Sequence, residues 1–233
     1  MQPSHRVRLP HVSVPPLASS FLTYVSDNGD SVLRLAWGHV WVVALSIAIA
    51  VVVGVLLGVL TYRSPFLSSV ALTVSGLFLT FPSFALLGIL LAILGLGVTP
   101  VVIALVLYAL LPIVSNTVTG LREVDAVVLD SARGLGMSSV GRLVRVELPI
   151  AWPVILAGMR TATQLVVGIA AIAAYVNGPG LGRFIFSGLS QLGGANALNQ
   201  VVVGTVGVII IALAFDLLLS LVGRLTISKG IRA

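Results

Sequence analysis

The distribution of charge constrains this chain more than any other feature, because residues 64–121 contain no Asp, Glu, Lys or Arg. About 20 apolar residues already cross a bilayer as a helix, so this stretch is long enough to cross at least twice. The whole chain is 58% hydrophobic and 9% charged, whereas soluble domains have roughly 25% charged residues. We therefore predict an all-α, polytopic membrane protein.

Five apolar stretches are predicted to span the membrane, at about residues 40–61, 66–96, 100–117, 154–176 and 201–222. The second is longer than a straight crossing needs and carries Phe81-Pro82-Ser83 in its middle. Proline removes a backbone donor and bends a helix, so this stretch is either one kinked span or two shorter segments. Residues 39–222 then form the membrane domain, between an interfacial segment at 1–38, with a turn near Asn28, and a cytoplasmic tail at 223–233.

The orientation follows from the basic residues near the span ends, because cytoplasmic loops carry an excess of Lys and Arg. With five spans, the larger basic set lies on the side of the C-terminus and the smaller set on the side of the N-terminus, which places the N-terminus outside. Since the basic residues are spread over loops, we expect no nucleic acid partner. The larger set is Arg63, Arg122, Arg133, Arg142, Arg145, Arg160, Arg224, Lys229 and Arg232, and the smaller set is Arg6, Arg8, Arg34 and Arg183.

A polar island lies between the third and fourth spans, from Arg122 to Arg160. In it, Asp130, Ser131 and Ala132 are predicted to start a short helix, and the glycines that follow permit a turn or a positive φ. Proline at 149 is predicted to prevent this helix from continuing into the next span. The island is interpreted as a docking element for a partner protein. The residues assigned to docking are Asp130, Ser131, Ala132, Arg133, Gly134, Leu135, Gly136, Met137, Val146, Leu148 and Pro149.

The spacing in this island resembles the coupling motif of permease subunits of ATP-binding-cassette importers. That motif is Glu-Ala-Ala, three residues, Gly, nine residues, Ile, one residue and Leu-Pro. Here every spacing is kept, with Asp, Ser and Val replacing Glu, the first Ala and Ile. The segments 148–162 and 170–182 are also similar to the permeases for glycine betaine, carnitine, choline and proline. The resemblance implies the binding-protein-dependent importer permease fold, with a cytoplasmic coupling loop at about residues 119–152.

The same resemblance implies a transport subunit that forms the path for a small compatible solute and is not itself an enzyme. Its partners would be ABC ATPase subunits, an extracytoplasmic solute-binding protein, a second permease copy or paralogue, and the lipid of a prokaryotic cell membrane. The chain has no Gly-x-x-x-x-Gly-Lys-Ser/Thr loop, so ATP hydrolysis is expected on a separate subunit. No cofactor is expected.

Two alternatives belong to other classes. A proton- or ion-coupled secondary carrier requires repeat symmetry and paired charges within the membrane, and Asp216 is the only acid in the last span. A structural role for Asp216 is the other interpretation. An enzyme embedded in the membrane requires a cluster of His, Asp or Glu at one depth, which the sequence does not show.

The remaining motifs have structural interpretations. Gly54 and Gly58 suit close helix packing, within the chain or between copies. Residues 178–182 predict a tight outer turn, not a dinucleotide loop, because they follow an apolar helix. His5, His11 and His39 lack ligand spacing, so no metal site is expected. Aromatic residues are dispersed along the chain, so no residue is assigned to the solute; they include Tyr62, Phe78, Phe81, Phe84, Tyr108, Trp152 and Tyr175.

Overall fold

The computed structural model of this chain describes residues 17–176 and 178–227, and every regular element within them is helical. The all-α prediction is confirmed. The predictions that concern His5, Arg6, Arg8, His11, Lys229 and Arg232 lie outside the described residues. The helices are α1 Leu17–Asp27, α2 Gly29–Thr61, α3 Pro65–Thr80, α4 Ser83–Leu94, α5 Val98–Arg122, α6 Ala126–Gly134, α7 Ser139–Arg142, α8 Leu148–Ala173, α9 Gly182–Ser190 and α10 Ala197–Thr226; a π turn, Leu143–Glu147, joins α7 to α8, and a 3₁₀ turn, Ala174–Val176, follows α8.

Four helical stretches among the described residues are long and apolar enough to cross a membrane: Gly29–Thr61, Val98–Arg122, Ser139–Val176 and Ala197–Thr226. The pair α3 and α4 meets the same criteria together, although the two helices are bent by 97°. Phe81 and Pro82 are extended at this corner, and Pro82 is the N-cap residue of α4. The stretch predicted as one kinked span or two segments is therefore two helices with a sharp corner.

The helix ends differ from the predicted span ends. A turn at Asn28 separates α1 from α2, and α2 begins at Gly29, so residues 29–38 are continuous with the first apolar stretch. Helix α8 begins at Leu148 and follows α7 and the π turn without a gap. The break predicted between the short helix and the next span is present at residues 135–138, but its placement at Pro149 is wrong, because Pro149 does not interrupt the helical run.

Helix α5 lies at the centre of the bundle and packs mainly against α2 and α8. A Cβ atom at Gly54 would lie 2.7 Å from Ile113 Cγ2, and one at Gly58 would lie 2.5 Å from Thr117 Cγ2. The two glycines thus let α2 approach α5 closely within one chain. Helix α10 packs on α8 and α9 and keeps much of its apolar surface exposed.

The turn at residues 178–182 closes the end of α8 and packs against α2. Gly178 N donates to Ala173 O at 3.0 Å. Gly180 has a φ of +135°, and a Cβ atom there would lie 2.7 Å from His39 Nδ1. His39 is fully buried, with its Nε2 3.1 Å from Val167 O. This arrangement is a tight turn, as predicted, and His39 packs beneath it.

Candidate functional site

Helix α6 carries five of the eleven predicted docking residues, Asp130 to Gly134, and Leu135, Gly136 and Met137 follow its end. Asp125 is its N-cap, because the Asp125 side chain accepts a hydrogen bond from Val127 N at 2.8 Å. Asp130, Ser131 and Ala132 therefore lie in the C-terminal half of α6, and the prediction that they start the helix is wrong. Sequence reasoning missed Asp125 because this capping residue lies before the first residue of the motif, Asp130.

Two backbone hydrogen bonds mark the end of α6. Met137 N donates to Ala132 O at 3.1 Å, and Gly136 N donates to Arg133 O at 2.9 Å. This ending requires a residue in the left-handed region, and Gly136 has a φ of +77°. The prediction of a positive φ is thus confirmed at Gly136, whereas Gly134 is helical. The motif glycine fixes where the helix ends.

The surface of α6 combines charge with exposed apolar side chains. Ala132 is buried, while Asp130 and Arg133 are exposed and form an ion pair at 2.7 Å. Leu135 is 79% exposed and Val127 is 71% exposed. An apolar patch on a polar segment is typical of a surface that a partner protein covers.

The π turn joins this segment to the membrane helix. Leu148 N donates to Leu143 O, which is the five-residue spacing of a π turn. The wider turn accommodates Pro149, which has no N–H to donate, and leaves the helical run intact. Val146, Leu148 and Pro149, predicted as docking residues, thus lie in the π turn and the first turn of α8, and not in α6.

Glu147 lies inside the π turn and is 2% exposed. Its carboxylate accepts hydrogen bonds from the Tyr62 hydroxyl, from Arg142 Nε at 3.0 Å and from Arg63 Nη2 at 3.3 Å. Burial raises the pKa of Tyr62, and the bond to Glu147 raises it further, so the phenol keeps the proton that it donates. We call Tyr62, Arg63, Arg142 and Glu147 the Glu147 cluster.

Arg122 extends this polar network to α3 and α5. Its Nε donates to Tyr62 O at 2.8 Å and its Nη2 donates to Ser68 Oγ at 2.6 Å. The end of α2, the start of α3 and the end of α5 therefore meet beside the π turn. Sequence reasoning missed Glu147 because it occupies the unspecified position of the motif; an acid among apolar residues at the start of a span was the available signal.

A second ion pair lies within the apolar helices. Arg160 of α8 donates from Nε to Asp216 Oδ1 at 2.9 Å and from Nη2 to Asp216 Oδ2 at 2.8 Å. Gln164 Nε2 donates a further hydrogen bond to Asp216 Oδ1 at 3.3 Å, between α8 and α10. Asn116 instead donates to Pro112 O in its own helix. Arg160, which was grouped with the loop charges, is thus the partner of Asp216.

Three aromatic rings meet at the far end of α8 from the π turn. The ring centroids of Tyr175 and Phe186 are 4.9 Å apart, and those of Phe84 and Tyr175 are 5.4 Å apart. The prediction that the aromatic residues are dispersed is wrong for Phe84 and Tyr175. The sequence could not show this cluster because α4, the 3₁₀ turn and α9 each contribute one ring.

Residues 50–227 match the family described as the binding-protein-dependent transport system inner membrane component. The chain belongs to this family. This inner membrane component is 37% identical over 214 residues to the osmoprotectant import permease protein OsmW of Salmonella typhimurium, covering 90% of this chain and 98% of OsmW. It is 32% identical over 214 residues to the glycine betaine/carnitine/choline transport system permease protein OpuCB of Bacillus subtilis, covering 92% and 97% of the two chains.

The fold agrees with this assignment. A solved structure of the MetNI methionine ABC transporter superposes with a TM-score of 0.67 at 19% identity, covering 87% of this chain and 96% of that chain. The inner membrane component is thus a multi-pass transport permease, as its resemblance predicted. Nothing in the family or in these relatives supports the alternative of an ion-coupled secondary carrier.

Proposed function

We propose that this permease forms the membrane path of an ABC importer for a small compatible solute of the glycine betaine, choline, carnitine or proline type. ATP hydrolysis takes place on separate ATPase subunits, which dock on α6 at the cytoplasmic side of a prokaryotic inner membrane. A solute-binding protein delivers the solute from the other side, and a second permease copy or paralogue completes the path. The names of the relatives OsmW and OpuCB support the solute class.

The observation that carries the docking proposal is the surface of α6. Val127 and Leu135 expose apolar side chains next to the Asp130–Arg133 ion pair. Exposure of these apolar side chains to water is unfavourable, and binding in a groove of a partner would remove them from water. The neighbouring ion pair would help to orient the partner. The described contacts of α6 are mainly with α7 and the π turn, so its outer face is open to a partner.

The route from α6 to the membrane helices runs through the Glu147 cluster. Helix α6 packs against α7, and α7 ends with Arg142, whose guanidinium binds Glu147. Glu147 in turn binds Tyr62 and Arg63 at the end of α2. A displacement of α6 by an ATPase therefore reaches α2 through charge-assisted hydrogen bonds, which are stronger than neutral ones.

Crosslinking from single cysteines tests this proposal, since the chain contains no cysteine. Cysteines replace Ser131 and Leu135, both exposed, and a control cysteine replaces Leu192 in the exposed turn after α9, at the other end of the bundle. In native membranes we expect the first two to capture an ABC ATPase and the control to capture none. Failure of both to capture an ATPase, with the protein inserted and folded, contradicts the docking proposal.

A further inference from the structure

The aromatic rings of Phe84, Tyr175 and Phe186 form a cluster whose outer side is open. The Phe84 and Phe186 centroids are 6.3 Å apart, so each ring contacts the other two edge-on or tilted. Tyr175 is 63% exposed and Phe84 is also exposed. Rings that are packed edge-on against one another leave ring faces free, and a ring face attracts a cation.

A groove of about 250 Å³ lies beside two of these rings, Tyr175 and Phe186. Arg183, Ser187 and Ser190 line its polar side. The Arg183 side chain is exposed and makes no hydrogen bond or ion pair with any residue that the structure describes. A guanidinium presents its donors in a planar fork that matches a carboxylate.

The groove lies at the end of the bundle remote from α6. Helix α8 begins at the π turn, next to the polar segment, and Tyr175 follows its last residue, Ala173. A 26-residue helix is about 39 Å long, which exceeds the thickness of the hydrocarbon core. If α6 faces the cytoplasm, the groove faces the compartment from which solute arrives.

We propose that this groove receives a zwitterionic solute that carries both a quaternary ammonium group and a carboxylate. The ammonium group lies against the faces of Tyr175 and Phe186, and the carboxylate accepts hydrogen bonds from Arg183. This inference rests on the proposed import function and names the solute chemistry that the permease itself recognises. The inference predicts different behaviour for two solutes: glycine betaine has both groups and would contact Arg183, whereas choline has only the cation and would not.

Uptake by the assembled transporter in proteoliposomes, with saturating binding protein, tests the inference with radiolabelled glycine betaine and choline. Tyr175→Leu should lower the maximal uptake rate of both solutes about fivefold to tenfold, because it removes a ring face. Arg183→Gln should lower glycine betaine uptake by a similar factor and leave choline uptake unchanged. Matched controls are Phe66→Leu and Arg34→Gln, which alter an exposed ring and an exposed cation elsewhere on the chain.

Each other outcome is informative. Equal loss of both solutes in Arg183→Gln overturns the inference. If binding protein added beyond the level that saturates the unaltered transporter removes that loss, the groove is assigned to docking of the binding protein. Unchanged uptake in both groove variants also overturns it, with the import function intact. Absence of uptake of either solute by the unaltered transporter overturns the proposed solute class, and the inference with it.

Discussion

Glu147 is a charged residue that is buried away from water, and its hydrogen-bond donors explain how the fold accommodates this buried charge. Moving a lone carboxylate into a protein interior costs several kcal/mol, which an ion pair offsets only when the hydrogen bonds are complete. Here two guanidiniums and a phenol supply them. Because the partners come from the end of α2 and from α7, the same hydrogen bonds that make burial of Glu147 tolerable also join the polar segment to the bundle.

We therefore expect Glu147→Gln to uncouple ATP hydrolysis from import. The amide keeps the size of the side chain and removes the charge that holds Arg63 and Arg142, so α6 moves without α2. In proteoliposomes, solute imported per ATP hydrolysed should fall about tenfold while ATPase activity persists. Glu123→Gln, at an exposed position, is the control. An unchanged ratio of import to hydrolysis in Glu147→Gln would count against the transmission role.

Arg160 and Asp216 raise a different question at the residue scale, because they lie in spanning helices with 41% and 28% of their side-chain surfaces exposed. Charged groups in membrane spans almost always face a protein interior or a water-filled cavity, since contact with lipid is costly. This face of α8 and α10 should therefore be covered by water or by protein, such as a second permease.

Asp216→Asn should destabilise the protein by about 1 to 3 kcal/mol, because it leaves the Arg160 guanidinium without its counter-charge. The measurement is the thermal unfolding temperature of the purified permease in detergent. The double variant Arg160→Gln with Asp216→Asn should recover most of that loss, since two amides bond without charge. Equal instability of the single and double variants would show that the charge pair is not the stabilising feature.

At the scale of elements, two local features determine where α6 begins and ends. Asp125 caps the start of α6, and Gly136 allows its abrupt end. No heavy atom lies within 4 Å of a Cβ built on Gly134 or Gly136, so side chains added there enter open space at the end of α6. The two glycines differ in that only Gly136 has a positive φ, which costs an L-residue about 1 to 2 kcal/mol.

Substitutions at Gly134 and Gly136 distinguish the effect of side-chain size from the effect of backbone strain. Gly134→Arg adds bulk to a helical residue, and Gly136→Ala adds strain with little bulk. We expect Gly136→Arg to abolish uptake while the protein stays in the membrane, Gly134→Arg to lower uptake strongly, and Gly136→Ala to retain part of it. Membrane content measured by immunoblot is the control for insertion. Normal uptake by both arginine variants would exclude close docking at this end of α6.

At the scale of the whole molecule, the chain has a buried central helix, an apolar outer surface, and smaller regions that are charged or open. Helix α5 is the most enclosed, with Leu105, Ile113 and Val114 fully buried. Helices α2 and α10 expose aliphatic side chains, which suits contact with lipid. The Arg160–Asp216 face is charged and partly exposed, so it is poorly suited to contact with lipid, and the aromatic groove is open at one end of the bundle.

The sequence predicted the elements better than their ends. Apolar stretches identified the helices because each side chain contributes its own transfer free energy. Pro149 was wrongly taken as a break, because a proline rule that considers one residue ignores the π turn that accommodates it. Asp130 was wrongly placed at the start of α6, since the residue that caps the helix lies before the motif.

Membrane class, helical content and the permease family follow from the sequence alone, because hydropathy and motif spacing are properties of neighbouring residues. Tertiary structure was needed to pair Glu147 with α2, Arg160 with Asp216, and Tyr175 with Phe84 and Phe186. Each of these contacts joins residues from separate helices or turns of the bundle. Such pairings depend on how the helices pack, which no local pattern specifies.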